Sequence, residues 1–185
     1  MTKIAVISSS VRPASVGGPV AEWVTEKANT VEGVQADVVR VADFNLPLFA
    51  EDYPTAMRPA QDPAAVTWNE TLAAYDGYVI VTPEYNHSIP GALKNALDFI
   101  SPATLANKAV GLVAYSFSAG HRPIEHLRQI LANFSAGVVR DQVNLHLASD
   151  FKNMSEFAPA DFHDAEVPTM VSSMVTLDGA LATLR

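Results

Sequence analysis

Residues 77–101 read GYVIVTPEYNHSIPGALKNALDFIS. The stretch opens on Gly77 and a run of uniformly apolar, strand-forming residues from Tyr78 to Val81. After Thr82 it turns a polar corner through Pro83, Glu84, Tyr85, Asn86, His87 and Ser88, and then settles into a helical pattern. Leu93, Ala96, Leu97 and Ile100 recur at helical spacing. Pro83 ends any ladder-paired interior, and Ser88-Ile89-Pro90-Gly91 fixes the start of the helix. Taken one at a time, these corner residues also suit cover for a sheet end, with Ser88 as the helix N-cap. Six in succession favour a rigid corner that presents backbone amides and an aromatic edge to a flat ligand.

The same alternation runs through the chain. Ile4–Ile7 forms a first strand, and a helix begins near Pro19 with Val20, Trp23, Val24 and Lys27. The segment VQADVVRVADF alternates apolar and polar residues, as a strand near a sheet edge does. A long loop with four prolines, Asn45 to Pro63, precedes a helix over Ala64–Tyr75. KAVGLVAYS forms the fourth strand, RPIEHLRQILANF a helix, GVVRDQVNLHL the fifth strand, and Ala165–Leu184 the last helix. Strands that alternate with helices require right-handed crossovers and a parallel sheet covered on both faces, which is a doubly wound α/β fold. No repeat or linker interrupts it, so residues 1–185 read as a single domain.

Bulk properties narrow the function. Of 185 residues, 49% are apolar and 17% charged, within the globular range. A net charge of −8 argues against a nucleic-acid or acidic-membrane surface, leaving at most a local anion site. The chain has no cysteine, which removes disulfides, thiolate metal sites and a thiol nucleophile. MTKIAVISSS has too short an apolar run for a signal peptide, and no segment reads as a membrane helix. A cytoplasmic protein is expected.

In a doubly wound sheet the ligand sits beyond the carboxyl ends of the strands, where strand order reverses. Three loops reach that edge. Ser8–Pro19 combines small hydroxyls, Arg12, two glycines and a helix N-terminus, as an anion site does. It is neither a Walker A loop nor GxGxxG, and alone it equally suits a solvated turn with capping serines. The second loop is the corner after Val81. The third, Ala114–Pro123, has small residues that permit close approach of a ligand. His121 and His126 are five apart and off a shared face, so no metal site is expected. Ser118 and His121 lack a GxSxG elbow, and Trp23 and Trp68 read as packing residues.

Together the loops resemble the NADPH-dependent FMN reductase family, a flavodoxin-like group that includes quinone, azo-dye and chromate reductases. The resemblance rests on Ser9-Ser10-Val11-Arg12-Pro13-Ala14-Ser15, on LPLF at Leu46–Phe49, and on PEYNHSIPGALKNALD at Pro83–Asp98. It implies a five-stranded flavodoxin-like sheet and passage of hydride from NADPH or NADH through N5 of FMN. The acceptor would be a small quinone, azo compound, free flavin or metal oxyanion. It further implies that Ser10, Arg12, Ser15 and the amide of Gly17 hold the FMN phosphate. Pro83, Glu84, Tyr85 and Asn86 would line the ring, with Ser116 and Phe117 on the fourth-strand loop. The chain would form a homodimer or homotetramer. Ser9 and Gly17 depart from the family pattern, and Ser116-Phe117 replaces its usual Gly-Gly, which leaves Phe117 to crowd the ring or wall it. Tyr85 and His87 are the candidate proton donors to a reduced quinone. A flavodoxin-like electron carrier, or a flavin-binding scaffold without turnover, is the alternative. Against the carrier, SSSVRPAS stands where a flavodoxin shows TxTGxT.

Overall fold

The computed structural model describes residues 1–185. Strands β1 (Thr2–Ser8), β2 (Val34–Arg40), β3 (Gly77–Pro83), β4 (Ala109–Ser116) and β5 (Gly137–His146) form one parallel sheet in the order β2-β1-β3-β4-β5. This is the flavodoxin-like order, with its switch point between β1 and β3. The alternating strand β2 lies at the edge as its pattern requires, while β3 and β4 are buried along their whole length.

Helices cover both faces. On one side α2 (Pro63–Ala73), α3 (Gly91–Asp98), the short α4 (Pro102–Leu105) and α5 (His121–Ala132) close a core around Trp68, Tyr78, Leu93, Phe99 and Leu127. On the other, α1 (Gly17–Ala28) and α6 (Glu166–Leu181) pack Val20, Val24, Met170 and Met174 against Val6, Val79 and Val113. The prolines of residues 45–62 keep that segment out of regular structure, and side chains pin it instead. Asn95 accepts from the Phe49 amide at 2.9 Å and donates to the Pro47 carbonyl at 2.7 Å.

The second strand is shorter than VQADVVRVADF, since Val41–Phe44 turns into a 3-10 helix, and three further local features differ from the sequence reading. Between β5 and α6 the chain makes a small antiparallel hairpin, β6 (Phe151–Lys152) with β7 (Glu156–Phe157), instead of a plain connection. Phe151 packs on Tyr115 at 5.9 Å and Phe157 on Trp23 at 5.5 Å, so the hairpin is seated by aromatic contacts that no local pattern announces. Ser88 does not cap α3. Pro90 is the N-cap, and Ser88 Oγ pairs with His126 Nδ1 at 2.8 Å, tying the corner to α5.

The third correction concerns the last helix. Asp161–Leu184 has a mean hydropathy of 1.2 over its most apolar window and is by length and composition able to span a bilayer, contrary to expectation. Its inner face, Val167, Met170, Val171 and Met174, is buried against the sheet. The outer face carries small residues, and the hydroxyls of Thr169, Ser172 and Thr176 return to carbonyls one turn back.

Candidate active site

The carboxyl ends of β1, β3 and β4 open into a cleft of about 370 Å³, within the range of small-molecule sites. Arg12, Ser15, Pro83, Glu84, Tyr85, Asn86, Ser116 and Phe117 all line it, so eight of the ten candidate cofactor contacts converge. Ser10 and Gly17 lie immediately behind, Ser10 through its bond to Tyr85 and Gly17 through its bond to Ser15.

The first loop gathers hydroxyls and backbone amides around Arg12. Ser10 Oγ accepts from the Arg12 amide at 3.3 Å, and Ser15 Oγ accepts from the Gly17 amide at 3.1 Å. The amides of Ala14, Val16 and Gly18 make no hydrogen bond within the chain. Nearby, the buried hydroxyl of Ser9 also has no partner. A buried hydroxyl without a partner, as in Ser9, is costly unless a ligand satisfies it, and the half-buried or exposed amides stay open to the same ligand. Position 17 accepts only glycine without rearrangement, because a Cβ there would lie 2.7 Å from the Tyr115 hydroxyl. Donors, an arginine and close backbone approach all suit a phosphate, so the residues present fit FMN at this end.

The corner after β3 is a tight turn. Tyr85 and Ser88 exchange both backbone hydrogen bonds, at 2.8 and 3.1 Å. Asn86 and His87 between them have φ of 49° and 73°. That is the left-handed pair of a type I′ turn, a region that asparagine and histidine enter more readily than most side chains. Tyr85 and Asn86 face the cleft, whereas His87 does not line it and points its ring towards His126, centroids 6.4 Å apart.

Glu84 anchors the third loop to the corner. Its Oε1 accepts from Arg122 at 2.7 Å, and its Oε2 accepts from Ser116 Oγ at 2.9 Å and from Ser118 Oγ. Burial alone would raise the Glu84 pKa, but the bonds from Ser118, Arg122 and Ser116 and the arginine charge outweigh it and hold the carboxyl below its ordinary value. Ser116 Oγ also accepts from the amides of Ser118 and Gly120, at 2.9 and 2.8 Å. Both lone pairs and the single hydrogen of Ser116 are therefore spent within the loop. What this loop offers a ligand is backbone and the Phe117 ring, which is 64% exposed. The loop closes through Ala119 and Gly120, at φ of 53° and 69°; a Cβ on Gly120 would lie 2.4 Å from that of Ala114.

Several lining residues escape a reading of the sequence. Tyr115, the penultimate residue of β4, looks like an ordinary strand aromatic, yet its hydroxyl reaches Ser15 Oγ at 3.2 Å. Burial, ahead of all other influences, pushes its pKa up to about 12. Arg122 and Ser118 lie inside the third loop, but their ties to Glu84 depend on the fold. Leu147 and Met154 come from the segment after β5, and only the hairpin brings Met154 to the lip. Among clusters of His, Asp and Glu, none could hold a metal ion.

Comparison with known proteins agrees with this geometry. The chain is 36% identical over 137 residues to an NAD(P)H-dependent FMN reductase of Nectria sp, a match covering 71% of this chain and 68% of that one. It is 34% identical over 158 residues to a quinone reductase of Escherichia coli (strain K12), covering 77% and 81%. Among solved structures, the flavoenzyme NAD(P)H:(acceptor) oxidoreductase FerB from Paracoccus denitrificans superposes with a TM-score of 0.72 at 18% identity, covering 95% of this chain and 98% of that chain. That likeness shows the shared flavodoxin-like fold. Residues 2–150 match the description "NADPH-dependent FMN reductase", and the chain belongs to that family of flavin-using oxidoreductases.

Proposed function

We propose that this protein is an FMN-dependent NAD(P)H oxidoreductase that reduces a small acceptor, a quinone in the first instance, in a single domain. The observation that carries the reading is the first loop with its orphaned donors opening onto the same cleft as the type I′ corner. Support also comes from the relatives above, one named for FMN reduction and another for quinone reduction.

Bound FMN would supply two-electron transfer between nicotinamide and acceptor. The chain's own residues bind and orient. Ser10, Arg12, Ser15 and the start of α1 at Gly17 take the phosphate. Pro83, Glu84, Tyr85 and Asn86 form the ring-side wall, fixed by the turn and by the Glu84–Arg122 pair. Phe117 forms an opposing apolar wall. With Glu84 neutralised by Arg122, the inner cleft carries no unpaired carboxylate, which suits an uncharged aromatic acceptor. His87 stands outside the cleft, so His87→Ala is expected to leave quinone turnover unchanged; a fall would bring that imidazole into proton delivery.

A homodimer in the cytoplasm is part of the same reading. Exposed Val11 and Leu48 flank a groove that α3 borders beside the first loop, a surface suited to a second copy that would complete the cleft. Light scattering on the purified chain tests this.

The test of function is a visible spectrum of protein loaded with FMN and desalted, followed by anaerobic NADPH and then a quinone. Bound flavin that bleaches with NADPH and recovers with quinone is the expected result. Flavin that binds but does not bleach would instead mark an electron carrier or a scaffold.

A further inference from the structure

Two tyrosine hydroxyls touch the serines of the first loop, one from each of the other two loops. Tyr85 OH lies 2.8 Å from Ser10 Oγ, and Tyr115 OH lies 3.2 Å from Ser15 Oγ. The serines are otherwise alike, since each already accepts one backbone amide, Arg12 N–H or Gly17 N–H. A serine hydroxyl has two acceptor positions and one hydrogen. If the tyrosine donates, both acceptor positions are filled and the serine hydrogen remains free for the loop. If the serine donates, that hydrogen is spent on the tyrosine and the loop loses a donor.

A bound anion favours the first direction, because it can only accept and so draws the serine hydrogens towards itself. Tyr115 is buried against Phe151 and stays protonated through the neutral range. Its oxygen closes on Gly17, where no side chain intervenes. Arg12 sits over the Tyr85 ring at 5.8 Å, placing positive charge on the same side of the loop.

We propose that Tyr85 and Tyr115 are positioning residues that donate to Ser10 and Ser15 and thereby commit both serine protons to a bound phosphate. The loops that wall the ring would then set the polarity of the loop that holds the phosphate. This rests on the assignment of that loop to the FMN phosphate. It predicts an effect confined to ligands that carry one.

The experiment compares FMN with riboflavin, which lacks the phosphate, by quenching of flavin fluorescence. Tyr115→Phe, which keeps the packed ring, is expected to weaken FMN binding by roughly 3- to 10-fold, the worth of one hydrogen bond. Riboflavin affinity should stay within about twofold by the same reasoning. Because the tyrosine acts through the serine, Tyr115→Phe combined with Ser15→Ala should be no weaker for FMN than Ser15→Ala alone. Tyr85→Phe with Ser10→Ala should behave in parallel. Equal losses for both flavins, or fully additive losses in the double variants, would overturn the proposal and leave the tyrosines as packing. Should the unaltered protein bind FMN no more tightly than riboflavin, the phosphate assignment itself fails and the proposal with it.

Discussion

The two ends of the sheet handle buried tyrosine hydroxyls in opposite ways. At the amino end, Tyr78 sits among the Leu72 and Thr104 carbonyls at 2.9 and 3.0 Å and accepts from Lys108 Nζ at 3.0 Å. Lys108 also reaches the Tyr75 carbonyl at 2.6 Å. Burial, ahead of nearby charges, raises the Tyr78 pKa and so keeps the phenol protonated, and it lowers that of Lys108 by disfavouring the ammonium. That network is closed. At the carboxyl end, Tyr85 and Tyr115 pair with serines, the Ser9 hydroxyl has no partner, and the amides of Ala14, Val16 and Gly18 have none within the chain. A closed network contributes stability; an open one holds binding capacity in reserve.

If that contrast is right, changes to the Tyr78–Lys108 network should cost stability and spare flavin binding, and changes to the open first loop the reverse. Tyr78→Phe strips an acceptor from Lys108 and removes the one hydroxyl hydrogen that the Leu72 and Thr104 carbonyls share. It is expected to destabilise by about 1–3 kcal/mol in urea unfolding, with FMN affinity unchanged. Gly17→Ala forces a methyl to within 2.7 Å of the Tyr115 hydroxyl, on the loop proposed to take the phosphate. An FMN affinity loss of about tenfold, or roughly 1.4 kcal/mol, should accompany it. Full FMN affinity in Gly17→Ala would break the contrast.

Ser9→Ala sharpens the comparison because the two readouts should separate. Deleting a buried hydroxyl without a partner should leave the melting temperature of the apoprotein unchanged or slightly raised, while FMN binds a few-fold more weakly. Loss of stability without loss of binding would mean that Ser9 belongs to the closed class.

The smallest effect is expected from Glu84. Its carboxyl is held below the ordinary value of 4.5, so the ionised form is favoured in the folded state. The stabilisation is full above the unfolded-state value and is lost as pH falls through the folded one. Unfolding free energy should therefore drop on acidification below about pH 4.5, and less so in Glu84→Gln. Parallel acid profiles for the two proteins would remove the Ser116–Ser118–Arg122 cluster from the account.

How much of this was legible in the sequence depended on whether the information was local. Uniform burial made β3 and β4 readable, and alternation placed β2 at an edge. The first loop and the corner were readable because their residue types are unusual together and because a doubly wound sheet assigns them to one edge. Tyr115 was not, since its role depends on Ser15, a hundred residues away, and a strand aromatic gives no sign of it. Met154 was hidden for a similar reason. Its place at the cleft depends on Phe151 and Phe157 finding Tyr115 and Trp23 across the fold. Ser88 misled because Ser before a helix is ordinarily a cap, and only the packing of α5 supplies His126 as its partner.

The most direct test of the central claim is an equilibrium titration of the unaltered protein with FMN and with riboflavin under identical conditions. If the first loop is a phosphate cradle opening onto a flavin cleft, FMN should bind at least about tenfold more tightly, and the difference should shrink in Arg12→Ala. Equal affinity for the two flavins would contradict it.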